Sequence, residues 1–158
     1  MSKLTYSPTK TIRLNNVLIY RMLMDDENFN LQVAIEQMQN YIRVKGATQI
    51  GPLIQHTEVK TTEDGMPDIS ICFMLQANNF IHNVEAPYTM EPVVKASDCM
   101  YCRFTGPEDK LKIAYDKIGV EAYEADVELD GSSYTVFVSN DVAEGTMVAD
   151  VFMPRKSV

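Results

Sequence analysis

Apolar positions along the chain follow two spacings, one of two residues and one of three to four, and the order in which these stretches occur repeats. The run NVLIYRML (16–23) is rich in β-forming residues and predicts a strand. DDEN (25–28) then supplies carboxylates and capping groups for a helix start. From Phe29 to Val44 the residues Leu31, Ala34, Ile35, Met38, Tyr41 and Ile42 recur at helical spacing, and Gly46 ends the helix. LIQHTEV (53–59) and DISICFMLQ (68–76) read as strands joined by the turn KTTEDGMP.

The second half has the same order. DCMYCRF (98–104) predicts a strand, and TGP a turn that places Pro107 in the first turn of a helix. Leu111, Ala114, Tyr115 and Ile118 form that helix's apolar stripe, with Gly119 either interrupting or ending it. SYTVFVS (133–139) and TMVADVFMP (146–154) are strands around the turn NDVAEG. The chain therefore reads as β-α-β-β twice, offset by about 80 residues, in a single α+β domain over 1–158. The repeats span 16–76 and 98–154. The segment 77–97, too rich in Asn and Pro for a helix, is expected to link them. SKLTYSPTKTIRL (2–14) predicts an extended arm or an irregular edge strand.

Period-two alternation assigns faces to the strands. In the closing strand Met147, Ala149, Val151 and Met153 form a wholly apolar face suited to packing on helices. The opposite face carries Val148, Asp150 and Phe152, an acid beside an aromatic ring, as expected of a groove for an organic cation. The alternative is that Asp150 faces water on a solvated sheet surface. In 68–76, Ile69, Ile71, Phe73 and Leu75 form the core face, opposite Ser70, Cys72, Met74 and Gln76. The repeat offset makes His56 and Phe137 counterparts, one per repeat, in the middle strands. Tyr20 and Tyr101 lie in the first strands of the repeats. These residues, Asp150, Phe152, Phe137, His56, Tyr101, Cys72 and Tyr20, are the candidate ligand-binding set.

Composition narrows the function classes. The net charge is −8, and the basic residues are scattered, so direct nucleic-acid binding is not expected. No apolar run approaches the roughly 20 residues of a membrane span, and the N-terminus lacks the apolar region of a signal peptide. A cytoplasmic location is expected. Three cysteines suit a reducing compartment. CMYC has zinc-knuckle spacing, but alternation turns Cys99 and Cys102 to opposite faces and no second pair exists, so neither metal nor cofactor is expected. No Gly-rich phosphate loop, HExxH or nucleophile elbow is present. A Cys-His pair from Cys72 or Cys99 with His56 would lack an orienting third residue.

Three local patterns together resemble the gyrase-inhibitor-like (GyrI-like) superfamily, which includes effector-binding domains of bacterial multidrug-responsive transcription activators. RFTGPEDKLKIAYDKI resembles that family's strand, Gly-Pro turn and helix opening. KGATQIGPLIQ resembles its helix end, Gly-Pro pair and following strand. VFVSND and ADVFMP resemble its two closing strands. The likeness spans roughly 16–154, with a stand-alone Gram-positive branch as the nearest form. It implies an antiparallel sheet of pseudo-two-fold symmetry, helices on one face and a ligand groove on the other, with an acid in the closing strand, here Asp150, deep in that groove.

The expected function is a stand-alone binder of small hydrophobic or cationic molecules, with no DNA-binding domain of its own. The alternative is a protein-interaction module, either gyrase-inhibitor-like or a secretion-system adaptor, and a dimer through an exposed sheet edge is open. A third reading, following hydrolases of the superfamily, uses Asp150 as a buried general base of raised pKa.

Overall fold

The structure is a computed structural model and describes residues 2–22 and 29–156. The expected caps in DDEN and the end of the first strand at Leu23 lie outside the described residues. The elements in order are β1 (Lys3–Arg21), α1 (Leu31–Val44), β2 (Gln49–Thr61), β3 (Pro67–Ala77) and β4 (Tyr88–Gly106). A short 3-10 turn (Glu108–Lys110), α2 (Lys112–Glu124), β5 (Ser133–Asp141) and β6 (Thr146–Pro154) complete the chain. The fold is α+β, and its six antiparallel strands close on themselves in the order β1-β3-β2-β5-β6-β4.

Closure into a ring is a feature that the expected antiparallel sheet did not specify. It comes from two strands of 19 residues, β1 and β4, paired from Lys3↔Thr105 to Tyr20↔Tyr88. The polar segment 2–14 is thus the first half of β1. Its pairing shifts register between Ser7 and Ile12, where Pro8 has no N–H to give the ladder. Residues 88–97, expected as linker, are the first half of β4, because β1 supplies a partner along their whole length. The ring is not paired throughout: the first half of β1 pairs only with β4, and the first half of β4 pairs only with β1.

Both helices lie outside the barrel, each on its own repeat. Asn30 caps α1 by accepting from the Val33 N–H at 3.2 Å, and Ala34, Met38 and Ile42 follow at four-residue steps. They pack with Leu18, Phe73 and Leu75. Gly46 (φ +83°) ends the helix as anticipated. The Gly-Pro pair at 51–52 sits inside β2, in a register shift between Ile50 and Ile54. Gly51 takes φ +77° there, which a side chain would resist.

On α2 the buried stripe is Ala114, Ile118 and Ala122, against Met100, Cys102, Phe104, Met147 and Val151. Gly119 neither interrupts nor ends this helix, because the stripe continues through Ala122 and Gly119 lies on the exposed face. A Cβ there would touch nothing within 4 Å. Gly119→Ala is therefore expected to raise stability by about 0.5–1 kcal/mol, seen as a higher urea midpoint.

A third cluster fills the barrel interior: Ile12, Leu14, Val17, Ile54, Cys72, Met74, Cys99, Tyr101, Tyr134 and Phe152. Strand alternation divides the faces as read from the sequence for β6, whose Met147, Val151 and Met153 pack with α2 while Phe152 points inward. In β3, Ile71, Phe73 and Leu75 face α1, but Ile69 is exposed near the β2–β3 turn. Cys99 faces inward and Cys102 faces α2. Among the described residues no cluster of His, Cys, Asp or Glu is placed to hold a metal, and no helix is long and apolar enough to cross a membrane.

Candidate functional site

Inward-facing positions of β2, β3 and β5 converge around His56. It is buried, lies across from Cys72 on one side and Tyr134 on the other, and stacks on the Tyr134 ring with centroids 4.1 Å apart and planes 15° apart. Its Nδ1 is 3.1 Å from the Ser133 carbonyl oxygen and its Nε2 is 3.0 Å from Glu58 Oε1. A carbonyl and an ionised carboxylate can only accept, so both bonds are made when both ring nitrogens carry protons. The hydrogen bond from His56 holds the Glu58 carboxyl below its usual range. Burial opposes that shift, and the charges of His56 and Lys60 add to it.

A cavity of about 370 Å³ opens over this pair. Ile19, Met74 and Val94 give it apolar walls. Glu58, Glu91 and Arg21 bring charge to it, and Pro87 and Thr89 complete the lining with Cys72. Arg21 donates to Ser70 Oγ at 2.8 Å. Aromatic floor, apolar walls and a few charged groups make up the usual composition of a small-molecule site. Burial pushes the Tyr134 phenol up to about 12 and raises the Cys72 thiol, so both stay protonated near neutral pH. Cys72 and His56 are register partners, yet both imidazole nitrogens are engaged elsewhere. The pair does not activate a nucleophile.

Asp150 belongs to a different arrangement. Arg103, its partner across β4 and β6, grips it with both ends of the guanidinium, Nε to Oδ1 at 2.7 Å and Nη2 to Oδ2 at 2.9 Å. The Tyr101 hydroxyl donates to Oδ1 at 2.7 Å. Burial alone would raise the Asp150 carboxyl. The bonds from Arg103 and Tyr101, with the charges of Arg103 and Lys10, outweigh it and set the pKa below the ordinary carboxylate value. Tyr101 is pushed up to about 12, by burial first and then by its bond to Asp150. A general base of raised pKa is thus the opposite of what the geometry makes of Asp150.

The candidate set splits accordingly. His56 and Cys72 line the 370 Å³ cavity, and Tyr101 lines a second one of about 530 Å³ around Arg103. Phe152 packs on Tyr101, with ring centroids 5.0 Å apart, in the core between them. Asp150 lines neither cavity. The register pairs His56 with Tyr134, while Phe137 faces α2 and lines neither cavity. Tyr20 points to the α1 side, against Phe29 and Tyr88. Tyr134, Glu58, Glu91 and Arg103 are additions that pairing register alone reveals.

Both depressed carboxyls carry the same sign for stability. Their folded pKa values lie below the unfolded ones, so the ionised forms favour the fold above the ordinary carboxylate range, about pH 4, and that contribution is lost as pH falls through the folded values. Urea midpoints should hold steady near neutrality and drop below about pH 4, and Asp150→Asn should flatten part of that drop. A midpoint independent of pH down to about 3 would contradict these two bonds.

Neither a family model nor a curated protein matches the sequence. Among solved structures, the chain is similar over its full length to EcmrR in an EcmrR–DNA complex, with 16% identity and a TM-score of 0.66, and covers 58% of that chain. It is similar to the isolated EcmrR C-terminal domain at 17% identity and a TM-score of 0.62, covering 100% of this chain and 98% of that one. A hydrolase from Listeria innocua is similar at 12% identity and a TM-score of 0.54, with 98% and 91% covered. At these identities the likeness is one of fold. The strand order, the two outer helices and this likeness agree, and the chain has the gyrase-inhibitor-like fold.

Proposed function

We propose that this chain binds a flat, hydrophobic organic molecule carrying positive charge, in the cavity over His56 and Tyr134. The observation that carries the reading is that cavity's lining: an aromatic floor, apolar walls and two carboxylates, within a fold shared with the EcmrR C-terminal domain. Volume supports it, since about 370 Å³ lies within the ordinary range for small-ligand sites. The charge role expected of Asp150 passes to Glu91, since Glu58 is already engaged by His56 and Lys60. Asp150 is already neutralised by Arg103, whereas Glu91 is exposed and has no ion-pair partner among the described residues.

Calorimetric titration with a flat aromatic cation such as ethidium, beside a neutral ring system of similar size, tests the reading. One saturable site that favours the cation is expected. No saturable heat with either compound defeats the proposal.

A further inference from the structure

The second cavity has no place in the reading above, and its chemistry is the reverse of the first. It measures about 530 Å³ and lies on the inward-facing positions of the β1–β4 ribbon, beyond the Tyr101–Phe152 packing. Lys3, Lys10 and Arg103 line it with the hydroxyl residues Thr5, Ser7 and Thr105. No carboxylate lines it. The acid nearest to these groups, Asp150, is already taken up by Arg103 and Tyr101.

In a protein of net charge −8, two lysines without ion-pair partners among the described residues, gathered beside the Asp150-paired Arg103 on one concave surface, need an account. They are also partly preorganised. Arg103 spends Nε and Nη2 on Asp150, which fixes the plane of the guanidinium, and Nη1 has no hydrogen-bond partner among the described residues. Lys10 Nζ is held 4.5 Å from the centroid of the Tyr101 ring. Neither Lys3 nor Lys10 has an ion-pair partner among the described residues. A guanidinium edge with free N–H, two ammonium groups and neighbouring hydroxyls form a donor set that matches the acceptor oxygens of phosphate or carboxylate.

We infer that this cavity is a second binding site, for a small oxyanion, phosphate or carboxylate, independent of the cation site over His56. Arg103 supplies the fixed donor, Lys3 and Lys10 the bulk of the charge, and Thr5 and Thr105 short-range hydrogen bonds. Because the two sites use different residues and probes of opposite charge, either can fail alone.

The test is a backbone amide NMR titration of the whole chain with inorganic phosphate and, separately, with succinate, each against chloride at matched ionic strength. Saturable shifts centred on Thr5, Ser7, Arg103 and Thr105 are expected, with about tenfold weaker affinity in the Lys3→Gln, Lys10→Gln double variant. Both lysines are exposed, so the variant keeps the fold. The tighter of the two ligands identifies the recognised group. Equal shifts with chloride, no saturation with either anion, or unchanged affinity in the double variant would overturn the inference.

Discussion

Arg103→Gln is expected to destabilise the protein by about 2 kcal/mol at neutral pH, far more than its half-exposed side chain suggests. The cost arises at Asp150, whose side chain is only 14% exposed. Losing the guanidinium leaves an ionised carboxylate with the Tyr101 hydroxyl as its remaining bond. Stripping a fully buried carboxylate of its partner costs about 3–5 kcal/mol. Arg103 is 45% exposed, so water can partly replace it, and the figure is discounted. Asp150→Asn removes the charge along with the need to pair it and should cost about 1 kcal/mol. The double variant should therefore lose about as much as Asp150→Asn alone, well below the sum of the two single losses. Urea denaturation of all four proteins closes the cycle, and strictly additive losses would show that the two side chains act separately.

The second large effect is on ligand affinity. Tyr134→Leu keeps an apolar side chain on the cavity floor but removes the ring that stacks on His56, a loss of about 1 kcal/mol of aromatic contact to a flat cation. Glu91→Gln removes a carboxylate at the mouth, worth about 1 kcal/mol at an exposed position. Together they should weaken binding of an aromatic cation about thirtyfold. A neutral aromatic of the same shape should respond to Tyr134→Leu and not to Glu91→Gln. That split separates stacking from charge, and its absence would place the ligand elsewhere. Asp150→Asn, which lies outside this cavity, should leave cation affinity unchanged.

Much of the fold was legible because each element carries its own period. The stripe Ala34, Met38 and Ile42 needs only its spacing to declare a helix, and Met147, Val151 and Met153 needed only alternation to face α2. The ring closure was hidden because its main seam joins β1 to β4, pairing Lys3 with Thr105. The polar, proline-broken stretch near Pro8 gives no local sign of a long strand. Site residues fared according to how much register they required. In SYTVFVS both faces carry an aromatic, so alternation alone could not decide between Tyr134 and Phe137, and a one-residue slip exchanges them. Asp150 was singled out as the acid of a ligand groove, and its partner within the protein was missed. The partner lies 47 residues earlier, in register opposite it on β4, and only the β4–β6 pairing reveals it.

Asp150 therefore stabilises the second repeat. The ligand reading rests on the cavity that brings His56 of the first repeat together with Tyr134 of the second, beside two carboxylates. The most direct measurement is an NMR titration of the protein with an aromatic cation. The account predicts saturable shifts confined to His56, Glu58, Cys72, Thr89, Glu91 and Tyr134. Shifts centred on Asp150 and Arg103, or on the outer faces of α1 and α2, would contradict it.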